Sequence, residues 1–226
     1  MTDKITNWYA EVDKNKSFDI DDNFEKHYIL PCSRIICVGA SGTGKTTAFM
    51  ELLKRKNNSF TQIIIYSGSG VDEPLYDYLK TRIPETQLIN DINDLPELES
   101  FDREKEKIIV FDDWVVLPKN QIKKIEKYFI ASRKYGFTVF CMAQTYTSIP
   151  KIISRNAEYL FIFKQNDNIS INTIIKNHSL EGINSAKFKE YYNCATKEKG
   201  NFLLIDMKTS DKKLKLRRNF LDFFKT

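Results

Sequence analysis

Short unbroken apolar runs alternate along this chain with amphipathic stretches of helical period, and that alternation sets the expected architecture. Arg34 to Val38 (R-I-I-C-V), Gln62 to Tyr66 (Q-I-I-I-Y), Lys107 to Phe111 (K-I-I-V-F), Phe137 to Met142 (F-T-V-F-C-M) and Tyr159 to Phe163 (Y-L-F-I-F) read as strands. Their continuity indicates cover on both faces, because a strand half open to water alternates polar with apolar positions. Helices are predicted over Thr46 to Lys54, Pro74 to Thr81, Ile169 to Asn177 and Asn120 to Tyr135, the last with Ile122, Ile125 and Phe129 on one stripe. Thr86 to Ile89 reads as a short edge strand, and Phe202 to Met207 as a late strand with Lys213 to Arg218 as its hairpin partner. Strands and helices taking turns through the first two-thirds predict an α/β fold. Its central sheet should be mostly parallel and flanked by helices, with an antiparallel addition at the C-terminal end. Residues 1 to 26, polar and carrying Asp19, Asp21, Asp22 and Glu25, read as an arm ahead of one domain over 27 to 226.

Composition narrows this picture without redirecting it. A chain of 226 residues suits one compact domain with one active site. An apolar share of 42% is more than a disordered chain carries, so most of the length should fold. The net charge of +5 permits an anionic partner but does not identify one. Cys32, Cys37, Cys141 and Cys194 form no C-x-x-C pair, which points to reduced thiols and no structural zinc. No stretch approaches the roughly 18 apolar residues that span a bilayer, and the charged N-terminal segment is unlike a signal peptide, so a soluble intracellular protein is expected.

The chemistry begins directly after the first strand, at Gly39-Ala40-Ser41-Gly42-Thr43-Gly44-Lys45-Thr46-Thr47. A polyanion can be held without an unpaired buried charge by backbone N–H groups at a helix N-terminus, which carry the positive end of the helix dipole. Glycines let the loop wrap closely, Lys45 reaches the β and γ phosphates, and the Thr46 hydroxyl joins the shell of a magnesium ion. Thr47 is placed for the α phosphate. The motif sits between a buried strand and a helix, where its mechanism requires it, and so predicts a P-loop NTPase using ATP and Mg2+.

Hydrolysis also needs a carboxylate at the metal and a group that orients water. Asp112, ending the K-I-I-V-F strand, is the expected second magnesium ligand, and Asp113 beside it is the expected group to polarise water. A paired acid favours an ATPase over a simple kinase. Gln144, at the tip of F-T-V-F-C-M-A-Q-T, is a further candidate for contact with the γ phosphate.

The phosphate loop, the double aspartate, S-R-K-Y-G-F before a strand, A-Q-T at its tip and then I-P-K-I-I-S-R-N together resemble the viral genome-packaging ATPases of the FtsK–HerA superfamily. The similarity is to the poxvirus-like branch shared by large DNA viruses and their virophage and polinton-like relatives, and it extends from about Tyr28 to Phe220. Where many relatives have glutamate as the second acid, this chain has Asp113. The resemblance implies a homo-oligomeric ring, pentameric or hexameric, that drives double-stranded DNA without sequence preference into a preformed capsid, with the capsid or its portal vertex as partner. It also implies residence in the host cytoplasm at the virus factory, and in the virion. Such motors set an arginine of one subunit against the ATP of the next; Arg133 is the favoured candidate and Arg155 the alternative. DNA phosphates require basic side chains, for which Lys119, Lys123 and Lys124, or Lys212, Lys213, Lys215, Arg217 and Arg218, are candidates. Two other readings use the same loop: a nucleotide-switched virion assembly protein, and a P-loop nucleotide or polynucleotide kinase.

Overall fold

The computed structural model describes residues 18–57, 59–68, 73–178, 180 and 183–224. Most of the predicted N-terminal arm, and Ser69 and Gly70 of the turn after the second strand, therefore lie outside the described residues.

Among the described residues the apolar runs form the strands of one nine-stranded sheet. Strands β1 (Arg34–Val38), β2 (Ile63–Ser67), β3 (Gln87–Ile89), β4 (Lys107–Asp112), β5 (Phe137–Ala143) and β6 (Tyr159–Ile162) are parallel. The later strands β7 (Leu203–Asp206), β8 (Leu216–Arg218) and β9 (Asp222–Phe223) pair antiparallel, which is the predicted C-terminal addition. Across the sheet the order is β3-β2-β4-β5-β1-β6-β7-β8-β9.

Alternate residues of each strand point to opposite faces. Ile36 and Val38 of β1 therefore join one core, and Ile35 and Cys37 the other. The second core is closed by α1 (Lys45–Arg55), through Ala48, Phe49 and Leu52, and by α2 (Pro74–Arg82), through Tyr76 and Leu79. The first is closed by α3 (Lys119–Ala131), α4 (Lys151–Asn156), α5 (Asn168–Asn177) and α6 (Ser185–Ala195). Helices on both faces are what leave the parallel strands uniformly apolar.

Two boundaries depart from expectation. The helix expected to run to Tyr135 ends at Ala131 and tightens into a 3-10 turn over Ser132–Tyr135, closed by Gly136 at φ 74°. A Cβ at Gly136 would lie 2.6 Å from the Lys105 carbonyl oxygen, so glycine is needed there for clearance as well as for backbone angle. The expected strand from Lys213 is reduced to Leu216–Arg218, because Asp211 accepts a hydrogen bond from Lys213 N and starts a 3-10 turn.

The C-terminal basic run is also not one surface. Arg217 is fully buried, with Asp206 at 3.4 Å and the rings of Tyr28 and Phe223 beside its guanidinium, and so is removed from the DNA-contact candidates. Arg217 stands on the face of β8 that the segment before β1 covers, its guanidinium donating to the His27 and Tyr28 carbonyls at 3.5 Å, whereas Arg218, on the opposite face, is partly exposed and pairs with Asp222.

The segment before β1 is tied to the far end of α1. Lys56, at the helix C-terminus, is buried between Glu106 at 3.2 Å and Asp21 at 3.5 Å, and Asp21 also meets His27 at 3.1 Å. Arg55 donates to the Lys26 carbonyl at 2.7 Å. Helix α1 is thus fastened at one end and carries the phosphate loop at the other.

Candidate nucleotide site

The loop Gly39–Gly44 lies between the C-terminal end of β1 and the first turn of α1, with Gly42 at φ 69° and Gly44 at φ 110°. These angles lie where L side chains are disfavoured, which is why the turn uses glycine. Gly39 is required for space instead, since a Cβ there would fall 2.5 Å from Phe163 Cβ and 2.7 Å from Thr43 Oγ1. The loop is braced by Thr43 Oγ1 donating to the Ala40 carbonyl at 2.7 Å and by Gly39 N donating to Ala143 at 3.1 Å. Lys45 curls back over the loop and donates to the carbonyls of Gly39 at 2.8 Å and Ala40 at 3.2 Å.

Sheet order sets where the remaining groups stand. β5 lies between β1 and β4, so the tip of β4 is two strand spacings, about 10 Å, from the loop. Asp112 ends β4. Tyr76 of α2 donates its hydroxyl to Asp112 Oδ2 at 2.8 Å, and Asp113 N donates to Asp112 Oδ1 at 3.1 Å. Burial and the neighbouring Asp113 charge push the Asp112 carboxyl above its ordinary pKa, while the Tyr76 bond and the Lys45 charge pull the other way. The Tyr76 hydroxyl is in turn driven far above its usual range by burial and by the Asp112 charge.

A carboxylate held in place while its charge is disfavoured is a suitable ligand for a small divalent cation. Among the described residues no three acidic, histidine or cysteine side chains cluster as a cage. Magnesium is well matched to such a site, because it takes one or two protein ligands and completes its shell with phosphate and water. Asp112 and Thr46 would hold it, and the ion would neutralise charge on the phosphates.

Asp113 adopts φ 49°, a left-handed angle that aspartate tolerates, and this turns the chain off β4 into a 3-10 turn at Trp114. Gly68 follows β2 alongside, where a Cβ would lie 2.6 Å from the Asp113 carbonyl oxygen. Gln144 is exposed directly after Ala143, at the end of the strand that separates the loop from the aspartates. The structure therefore brings Gly39 through Thr47, Asp112, Asp113 and Gln144 to one end of the sheet.

It places the two arginines elsewhere. Arg133, in the 3-10 turn ahead of β5, and Arg155, in α4 ahead of β6, are exposed near the ends where strands begin, away from this chain's own loop. The basic clusters separate in the same sense. Lys119 opens α3 just beyond the aspartates, whereas Lys212 and Lys213 lie in the β7–β8 connection at the opposite end.

No protein-family model and no curated protein sequence matches the chain. Solved structures do. The DNA-packaging ATPase B204 of Sulfolobus turreted icosahedral virus superimposes with a TM-score of 0.58 at 16% identity, over 84% of this chain and 97% of that one. The chain shares its fold with that ATPase. The genome-packaging NTPase B204 of Sulfolobus turreted icosahedral virus 2, bound to ATP-gammaS, gives 0.56 at 15% identity over 83% and 96% of the two chains. The pCW3 conjugation coupling protein TcpA with ATPgS gives 0.53 at 14% identity over 92% and 71%. The two B204 structures are thus matched over nearly their whole length. No described helix is long and apolar enough to cross a membrane.

Sequence reasoning did not find Tyr76, Gly68 or the wall that faces the phosphate loop. That wall is the α6–β7 connection, where Gly200 comes within 3.2 Å of a Cβ placed on Gly44. Helix α6 could have been found: Phe188, Tyr191, Tyr192 and Ala195 recur at helical spacing behind Asn184, whose side chain caps Lys187 N at 2.9 Å.

Proposed function

We propose that this chain is an Mg2+-dependent ATPase that translocates double-stranded DNA to package a viral genome, acting as a homo-oligomeric ring on a capsid or its portal vertex. The observation that supports it most directly is the meeting, at one end of the sheet, of the phosphate loop, the Asp112–Asp113 pair and Gln144. Lys45 and the loop amides bind the triphosphate, Thr46 and Asp112 hold magnesium, Asp113 polarises water, and Gln144 senses the γ phosphate. Arg133, exposed and remote from its own loop, acts on the nucleotide of a neighbouring subunit, with Arg155 as the second candidate. The protein works in the host cytoplasm at the virus factory, and in the virion. Lysines grip DNA through its phosphates, without sequence preference.

The test is ATP turnover by the full chain with and without long duplex DNA. DNA should stimulate turnover, the stimulation should fade as salt rises, and Lys45→Ala should abolish both basal and stimulated rates while the thermal midpoint is kept. Wild-type turnover in Lys45→Ala would remove the active-site assignment, and indifference to duplex DNA would remove the motor.

A further inference from the structure

The phosphate loop opens on one side into a cleft of about 690 Å³, and the far wall of that cleft is the α6–β7 connection, residues 196–201. The volume is that of a small-molecule site, for which roughly 300–1,000 Å³ is usual. Behind Gly39 the Phe163 side chain fills the space, so groups attached to a bound phosphate chain cannot leave on that side. The far wall is set before any ligand arrives. Asn219, at φ 54°, accepts from Phe202 N at 3.1 Å and donates to Asn201 Oδ1 at 2.8 Å, and Asn201 in turn donates to Glu198 Oε2 at 3.2 Å.

The phosphate-loop reading puts the ribose and base of the nucleoside triphosphate in this cleft, and we propose that the cleft distinguishes little among bases. The inference rests on the phosphate-loop reading above and extends it to the part of the ligand that the loop does not touch. Its basis is the chemistry of the lining. Lys164, Asn166, Asn193, Lys197 and Lys199 offer amines and carboxamides, and among the described residues no aromatic ring lines the cleft to stack a base.

All five of these side chains are exposed. A site rejects the wrong base strongly when that base leaves a buried polar group unpaired, whereas an exposed group is simply rehydrated. Ribose hydroxyls are common to every ribonucleotide, and both donate to and accept from carboxamides. The lining therefore favours a nucleoside triphosphate over bare triphosphate, without choosing among ATP, GTP and CTP.

Titration calorimetry on the full chain with ATP, GTP, CTP and inorganic tripolyphosphate separates the two parts of the site. ATP should bind about tenfold more tightly than tripolyphosphate, a gain worth one or two net hydrogen bonds, with GTP and CTP within about fivefold of ATP. In Asn166→Ala/Asn193→Ala the three nucleotides should weaken together toward the tripolyphosphate level while tripolyphosphate itself is unchanged. Both positions are exposed, and a circular dichroism melt checks that the variant folds. ATP binding no tighter than tripolyphosphate, nucleotide affinity unmoved in the variant, or GTP binding about 100-fold weaker than ATP would each overturn the proposal. Tripolyphosphate that fails to bind, or that binds equally well to Lys45→Ala, would instead show that the phosphate-loop reading is at fault, and the cleft proposal would fall with it.

Discussion

Tyr76 reaches from α2 into the site to donate its hydroxyl to Asp112, a contact no sequence motif announces. Groups that orient a metal ligand from behind commonly change metal affinity by about 10- to 100-fold when removed. Tyr76→Phe keeps the ring in its core position and removes only the donor. The magnesium concentration that half-saturates turnover should then rise about tenfold, with nucleotide binding in EDTA unchanged. An unchanged magnesium dependence would make Tyr76 a core residue only. Asp113 separates from Asp112 by a different measurement. Asp113→Asn should retain magnesium-dependent nucleotide binding and lose hydrolysis, because the metal is left to Asp112 and Thr46; loss of binding would make Asp113 a metal ligand. At this scale the sequence displayed the groups whose roles demand fixed neighbours in the chain, such as Lys45 after Gly44. It concealed Tyr76 because that contact joins residues 36 positions apart.

Among the elements, α1 connects the site to a buried polar cluster. His27 is wholly enclosed beside Asp21 and Lys56, and burial, with the Lys56 charge, pulls its pKa from 6.5 down to about 4 against the opposing pull of Asp21. The unfolded chain therefore takes up a proton at His27 at higher pH than the folded one. Stability is fully present above pH 6.5 and is lost progressively as pH falls toward 4, because the unfolded state binds more protons throughout that window. The thermal midpoint should fall across that window, and His27→Gln should flatten the slope; an unaltered slope in the variant would assign it to other groups. The elements themselves were legible wherever apolar runs were long and glycine marked their ends, as in β1 and α1. Arg217 was not legible as a core residue, because a basic run carries no sign of which side chain β8 turns inward. The α6–β7 wall was equally hidden, since nothing in Lys197-Glu198-Lys199-Gly200 marks a connection that will face the phosphate loop.

At the scale of the whole molecule, the loop and the candidate arginines occupy opposite ends of the parallel strands, so a chain acting alone would lack the cation expected at its own site. Arginine fingers supply about 10³- to 10⁵-fold in rate, mostly in the transition state. Arg133→Ala should bind ATP normally and hydrolyse it slowly. Mixed with Asp113→Asn, it should recover part of the activity, because some interfaces then join an intact Asp113 to an intact Arg133. No recovery where subunits demonstrably exchange would exclude Arg133 as the group acting in trans, and the same mixture made with Arg155→Ala would be next.

The sheet order has a mechanical consequence. β5 is paired to β1 over Arg34–Val38 and to β4 over Lys107–Phe111, with Gln144 at its tip between loop and aspartates. Spreading the loop from the aspartates would shear two hydrogen-bonded ladders buried on both faces. The end of the sheet that carries loop and aspartates is consequently a fixed anvil, and in the motor proposed above any stroke has to come from whatever is carried against it: helices, connections, or a neighbouring subunit.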